Sequence, residues 1–193
     1  MEHLNPESHV VCVRCAALEA TVKMLRDQVS TLQEKLFLWE RHPKIAQGIK
    51  GESLVVQLTN LPPSSRNASF DIGNDTIKIE VKFSGLYANE SGGSVFRWHW
   101  AKVFGQSGKK TYDRLLLVGR KDAQFSSNYL DANSHYIFFD VPYPEVSALA
   151  TSGGNAGSSI RLSSNPATSR GKSSHLFNRY QVTEAELVAR YGV

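Results

Sequence analysis

The sequence predicts an α/β domain preceded by a coiled-coil helix, and three observations carry that expectation. Apolar residues recur at alternating steps of four and three from Leu18 to Trp39, a further helical stretch follows, and short β-rich runs then succeed one another with turn chemistry between them. At 193 residues and 41% hydrophobic, the chain can bury the core of one ordinary domain and carry an appendage besides. His42-Pro43 marks the boundary between residues 1–42 and a domain of residues 43–193.

The seam comprises Leu18, Val22, Leu25, Val29, Leu32, Leu36 and Trp39. With Val22 and Val29 at a and Leu18, Leu25 and Leu32 at d, it favours a parallel two-stranded coil, so the expected partner is a second copy in a homodimer or a higher homo-oligomer. The alternative is a single amphipathic helix lying on the domain's own core. Upstream, His9, Cys12 and Cys15 are half to three quarters of a tetrahedral zinc site, whose other ligands a partner chain can supply. Cys15 also falls at an a position, so an interchain disulfide or two buried thiols stand equally open. Cys12 and Cys15 are the only cysteines, which excludes a disulfide framework.

Pro43 interrupts the helical pattern, because proline lacks the amide donor and disfavours helix in the residue before it. A second helix is expected from about Ile49 to Leu58, ending before the loop of residues 60–65. Strands are expected over residues 68–72 and 76–83 around a turn at Gly73-Asn74-Asp75, then over 95–104, 112–118 and 136–141. Residues 147–174 hold nine serines, four glycines and no acid, and read as a mobile, weakly basic segment. Thr183 and Glu186 form a capping box that opens a short terminal helix.

The formal net charge is +4. It is concentrated: residues 97–121 carry Arg97, Lys102, Lys109, Lys110, Arg114, Arg120 and Lys121 against the single acid Asp113, which suits a polyanionic partner or a solvated basic hairpin. No run of about 18 apolar residues occurs, and the opening residues are polar, so a soluble intracellular protein with no membrane span is expected.

The chemistry-bearing residues lie on adjoining strands. Alternation puts Glu80 and Lys82 on one face, with Ile79 and Val81 on the other. A hairpin that draws Asp71 alongside gives two carboxylates converging on a divalent cation with an ammonium next to the attacking water, which is what phosphodiester hydrolysis requires. A solvated strand face with a same-side ion pair is the simpler alternative. In Arg97-Trp98-His99-Trp100, alternation places core tryptophans beneath a polar face from which Arg97 and His99, with Lys102, can reach phosphates or base edges.

Glu52 on a helix, Asp71 before a turn and Glu80-x-Lys82 on the next strand resemble the PD-(D/E)XK superfamily of restriction-endonuclease-like nucleases. Gly48-Ile49-Lys50-Gly51-Glu52 has the G-x-x-G-E form common among its members. The proline that usually precedes the aspartate is replaced by Phe70, and eight residues separate Asp71 from Glu80, room for a tight hairpin and little else. The resemblance covers roughly residues 43–145. It implies a mixed β-sheet flanked by helices, a metal held by Asp71, Glu80 and the carbonyl of Val81, a catalytic Lys82, and Glu52 supporting or completing the site. It also implies an aspartate like Asp113 at the entry to the next core strand.

Taken together, the expected function is a site-specific endonuclease for double-stranded DNA that depends on magnesium, with manganese as its substitute. It would act as a type II restriction or homing endonuclease in a prokaryotic or phage cytoplasm. Arg97, His99, Lys102, Lys109, Lys110 and Arg114 are its expected DNA contacts. A structure-specific repair or junction nuclease, and a non-catalytic coiled-coil DNA-binding protein, are the alternatives.

Overall fold

The structure is a computed structural model that describes residues 6–65, 68–88, 95–105, 110–152, 157–170 and 174–193, the side chains of residues 6–14, 35, 38, 39 and 44 excepted. The chain divides into two compact units, Met1–Ala46 and Gln47–Val193. In the first, helix α1 spans Pro6–Arg41. Its seam residues Leu18, Val22, Leu25, Val29, Leu32 and Leu36 are between 45% and 63% exposed. Among the described residues, no helix is long and apolar enough to cross a membrane.

Helix α2 spans Pro43–Thr59 and so starts earlier than the expected Ile49. The His42 carbonyl accepts from the amides of Ile45 at 2.9 Å and Ala46 at 3.0 Å. Proline ends the preceding helix yet suits the first turn of the next, where its missing amide has no partner to lose. At the far end, the Thr59 hydroxyl donates to the Val55 carbonyl at 2.8 Å, and Asn60 turns left-handed at φ 57°. That conformation, tolerated by asparagine, stops the helix.

The second unit is built on a mixed five-stranded sheet. Strands β1 (Ile72–Gly73), β2 (Lys78–Ser84), β4 (Arg114–Arg120), β5 (Tyr136–Pro142) and β7 (Gln181–Val182) lie in the order β1-β2-β4-β5-β7. Among the described residues, only β2 and β4 run parallel, with Glu80 opposite Leu115 and Lys82 opposite Leu117. A parallel neighbour needs a crossover, and here it passes through β3 (Arg97–Ala101), which leaves the main sheet to pair antiparallel with β6 (Ser159–Ser163).

Two cores result. On one face, Val55 of α2 and Leu187 of α4 (Glu184–Tyr191) cluster with Ile79, Val81, Leu116 and Val118. On the other, Trp98 and Trp100 of β3 cluster with Leu115, Leu117, Phe139 and Ile160, alongside α3 (Tyr143–Leu149). The Trp98 indole donates to the Arg120 carbonyl at 2.8 Å and the Trp100 indole to the Val118 carbonyl at 2.9 Å, so both buried N–H groups are satisfied. Gly119 makes room for this: a Cβ there would stand 2.7 Å from the Trp98 indole nitrogen.

Several strands are shorter than expected, and residues 69–71 form bends before the two-residue β1. Within residues 147–174, expected to be mobile, the chain instead forms the end of α3, strand β6 and a 3-10 turn at Pro166–Thr168. Ile160 and Leu162 alternate with polar neighbours, and that period of two buries them under the tryptophans despite the serine-rich surroundings. The terminal helix α4 opens with the expected box, in which the Thr183 hydroxyl accepts from the Glu186 amide and the Glu186 carboxylate from the Thr183 amide.

Candidate active site

Asp71 reaches β2 through a turn that asparagine and glycine make. The Asn74 side chain accepts from the amides of Thr76 at 2.9 Å and Ile77 at 3.1 Å, while Gly73 sits at φ +150°. A Cβ on Gly73 would lie 2.2 Å from the Ile77 carbonyl oxygen, so no other residue closes this turn. The Asp71 amide then donates to the Ile79 carbonyl at 3.0 Å, and the Val81 amide donates to Asp71 Oδ2 at 2.9 Å. The carboxylate thus takes the ladder position beyond the end of β1.

Four charged groups meet there. Glu80 is fully buried. Lys82, on the same strand face, donates to Glu80 Oε1, and its Nζ lies 3.9 Å from Asp71 Oδ2 and 3.5 Å from the Val81 carbonyl. Lys110 Nζ donates to both Glu80 oxygens at 2.7 and 2.6 Å and to Asp71 Oδ1 at 3.0 Å. Glu52 on α2 is the fifth member, electrostatically coupled to Asp71, Lys82, Glu80 and Lys110.

Three carboxylates against two ammonium groups leave the cluster one negative charge in excess. Burial pushes the Glu80 carboxyl above its ordinary value, with the Asp71 charge adding to the rise and Lys82 and Lys110 opposing it. Burial and then Asp71 do the same to Glu52. For Lys110, burial pulls the ammonium down, but its hydrogen bond to Glu80 and the Asp71 charge outweigh that, and the net direction is upward.

Two acids share one cation position, which Lys110 Nζ occupies, and a divalent ion would use the same pair of carboxylates. Among the described residues, no three or more His, Cys, Asp or Glu gather to enclose a metal. Asp71 and Glu80 would be the side-chain ligands of a metal held here, with a carbonyl and waters completing the shell that magnesium prefers.

The remaining expected residues divide. Arg97 and His99 are half-buried on the polar face of β3, and together with Tyr87, Ala88 and Arg161 they line a cavity of about 210 Å³. Arg161 stands opposite His99 in the β3–β6 register, and the sequence did not single it out, because its strand lay in a segment read as mobile. The Ser84 hydroxyl accepts from the His99 amide at 2.9 Å and so joins this face to the end of β2. Lys102 is exposed and Lys109 lies outside the described residues. Arg114, expected to meet DNA, donates to the buried Asp140 at 2.8 Å, beside Arg190 and Tyr191 of α4. Its guanidinium helps tie the terminal helix to the sheet. Asp113 accepts from the Lys78 amide at 2.8 Å and so pins the start of β2.

Lys110 is the member that sequence reasoning placed elsewhere, among the DNA contacts. Cys15 is exposed, and the side chains of His9 and Cys12 lie outside the described residues. Compared with models of known families and with curated proteins, the chain matches none.

Proposed function

We propose that this chain is a magnesium-dependent, site-specific endonuclease of the restriction-endonuclease-like type that cuts double-stranded DNA as a homodimer. The observation that carries the reading is the convergence of Asp71 and Glu80 on one cation position, with Lys82 touching both carboxylates' surroundings and Glu52 approaching from α2. A mixed sheet whose strand β2, paired parallel with β4, carries Glu80 and Lys82 supports it.

Asp71, Glu80 and the Val81 carbonyl would hold the metal, and manganese would take the same ligands. When bound, magnesium supplies a more acidic water and relieves charge on the phosphate. Lys82 then donates to the attacking water and to the phosphate oxygen that gains charge. Glu52, whose carboxyl burial and the Asp71 charge raise above its ordinary value, would be the proton acceptor. Arg97, His99, Lys102 and Arg161 contact backbone phosphates, and a dimer formed through the exposed seam of α1 presents two sites to the two strands. A type II restriction enzyme or a homing endonuclease has this chemistry.

One observation favours a second reading. Both carboxylates already have ammonium partners, as they would in a non-catalytic DNA-binding protein that binds without cutting. The test is incubation with mixed-sequence plasmid, phage and branched DNA, with magnesium or with EDTA, beside an Asp71→Asn variant. Discrete fragments that need both magnesium and Asp71 support the first reading, and cleavage confined to branched substrates makes it a junction nuclease. Binding with no cleavage of any substrate supports the second.

A further inference from the structure

Lys110 occupies a built position. Its amide donates to the Phe104 carbonyl at 3.1 Å. Its stem crosses Gly105, where φ is +76° and a Cβ would lie 2.7 Å from Lys110 Cγ, so only glycine leaves that path open. The next residue is tied to the Asp71 segment, since Ser69 Oγ donates to the Thr111 carbonyl and accepts from Thr111 Oγ1, both at 3.0 Å. These contacts deliver the ammonium to the midpoint between two acids that lie on another part of the chain.

We propose that Lys110 is the resident counter-ion of the metal site, filling the divalent cation's place in the metal-free protein and leaving it when the cation binds. The inference rests on reading Asp71 and Glu80 as metal ligands. Magnesium sits about 2.1 Å from its oxygens, whereas the ammonium stands 2.6 to 3.0 Å from these same carboxylates. The two positions overlap, and a monovalent cation beside a divalent one is repelled in a buried site. The ion with twice the charge and the shorter contacts prevails when it is present. In its absence, Lys110 joins Lys82 so that two ammonium groups, and not one, face Asp71 and Glu80.

The experiment is a manganese titration of the whole protein, followed by the electron paramagnetic resonance of the free ion. It compares wild type with Lys110→Met, Lys110→Gln and Lys78→Met. Lys78 lies on the same strand face and its ammonium makes no carboxylate contact among those described, only its backbone amide meeting Asp113, so its variant controls for net charge. Both Lys110 variants should bind manganese about tenfold more tightly than wild type, a change of about 1.4 kcal/mol. Lys78→Met should stay near wild type, as expected for an exposed charge. In EDTA, Lys110→Met should melt below wild type, and manganese should raise its melting temperature by the larger increment. Unchanged or weaker binding in both Lys110 variants, or an equal gain in Lys78→Met, overturns the inference while leaving the nuclease reading intact. Absence of binding in every protein overturns both.

Discussion

A Cβ atom on Gly51 would stand 2.7 Å from the Cβ of Phe83, so helix α2 and strand β2 meet at this pair with no room for a methyl group. Glu52 follows directly, and the close approach is what carries its carboxyl toward Asp71 and Glu80. Gly51→Ala would improve helix propensity by about 1 kcal/mol. Overpacking costs about 1–3 kcal/mol, and Phe83 Cβ is fixed to the backbone and cannot swing away. The clash should win, lowering the urea midpoint and slowing cleavage.

Lys82→Ala should abolish detectable cleavage, a loss on the order of a hundredfold or more, while DNA binding measured in calcium stays within a few-fold of wild type. An ammonium next to the attacking water acts mainly in the transition state. Parallel loss of binding and cleavage would assign Lys82 a structural role in holding Glu80.

The pH dependence of stability follows from Glu52. Its carboxyl is raised above the ordinary value of 4.5 by burial and by Asp71 and Glu80, against the opposing charges of Lys82 and Lys110. The folded state therefore binds this proton more tightly than the unfolded state. The contribution to stability is full below 4.5 and declines as pH rises through the window between 4.5 and the raised value. Urea melts in EDTA across that window should show a downward slope, and Glu52→Gln should remove part of it. Glu80, shifted in the same direction, keeps the remainder.

The seam of α1 gives a prediction for assembly. Leu25 and Val29 are 50% and 52% exposed, and a second helix is the surface that would cover them. Leu25→Glu with Val29→Glu should convert a dimer to a monomer in sedimentation velocity, with the circular dichroism of the sheet unchanged. A monomeric wild type would remove the basis for two sites addressing the two strands of one duplex.

Much of the site was legible in the sequence because it is local. Asp71, a glycine-asparagine turn and Glu80-x-Lys82 specify a hairpin by turn chemistry and a shared face by alternation. What stayed hidden depends on partners distant in sequence. Lys110 looked like one cation in a basic stretch, and only the fold shows its stem passing over Gly105 to the acids. Arg114 looked free until Asp140, on the neighbouring strand, claimed it. Strand β6 was masked by serines because composition outweighed the two alternating aliphatics.

The separations within the cluster also set an order of assembly. The bond between Val81 and Asp71 spans 10 residues, whereas Lys110 closes onto Glu80 across 30 and onto Asp71 across 39. Short loops lose less entropy on closing and form sooner. The hairpin, closing the shorter loop, is therefore expected to bring its acids together before the crossover delivers the distant ammonium of Lys110. On the proposed reading, a chain refolding in magnesium would meet its metal before Lys110.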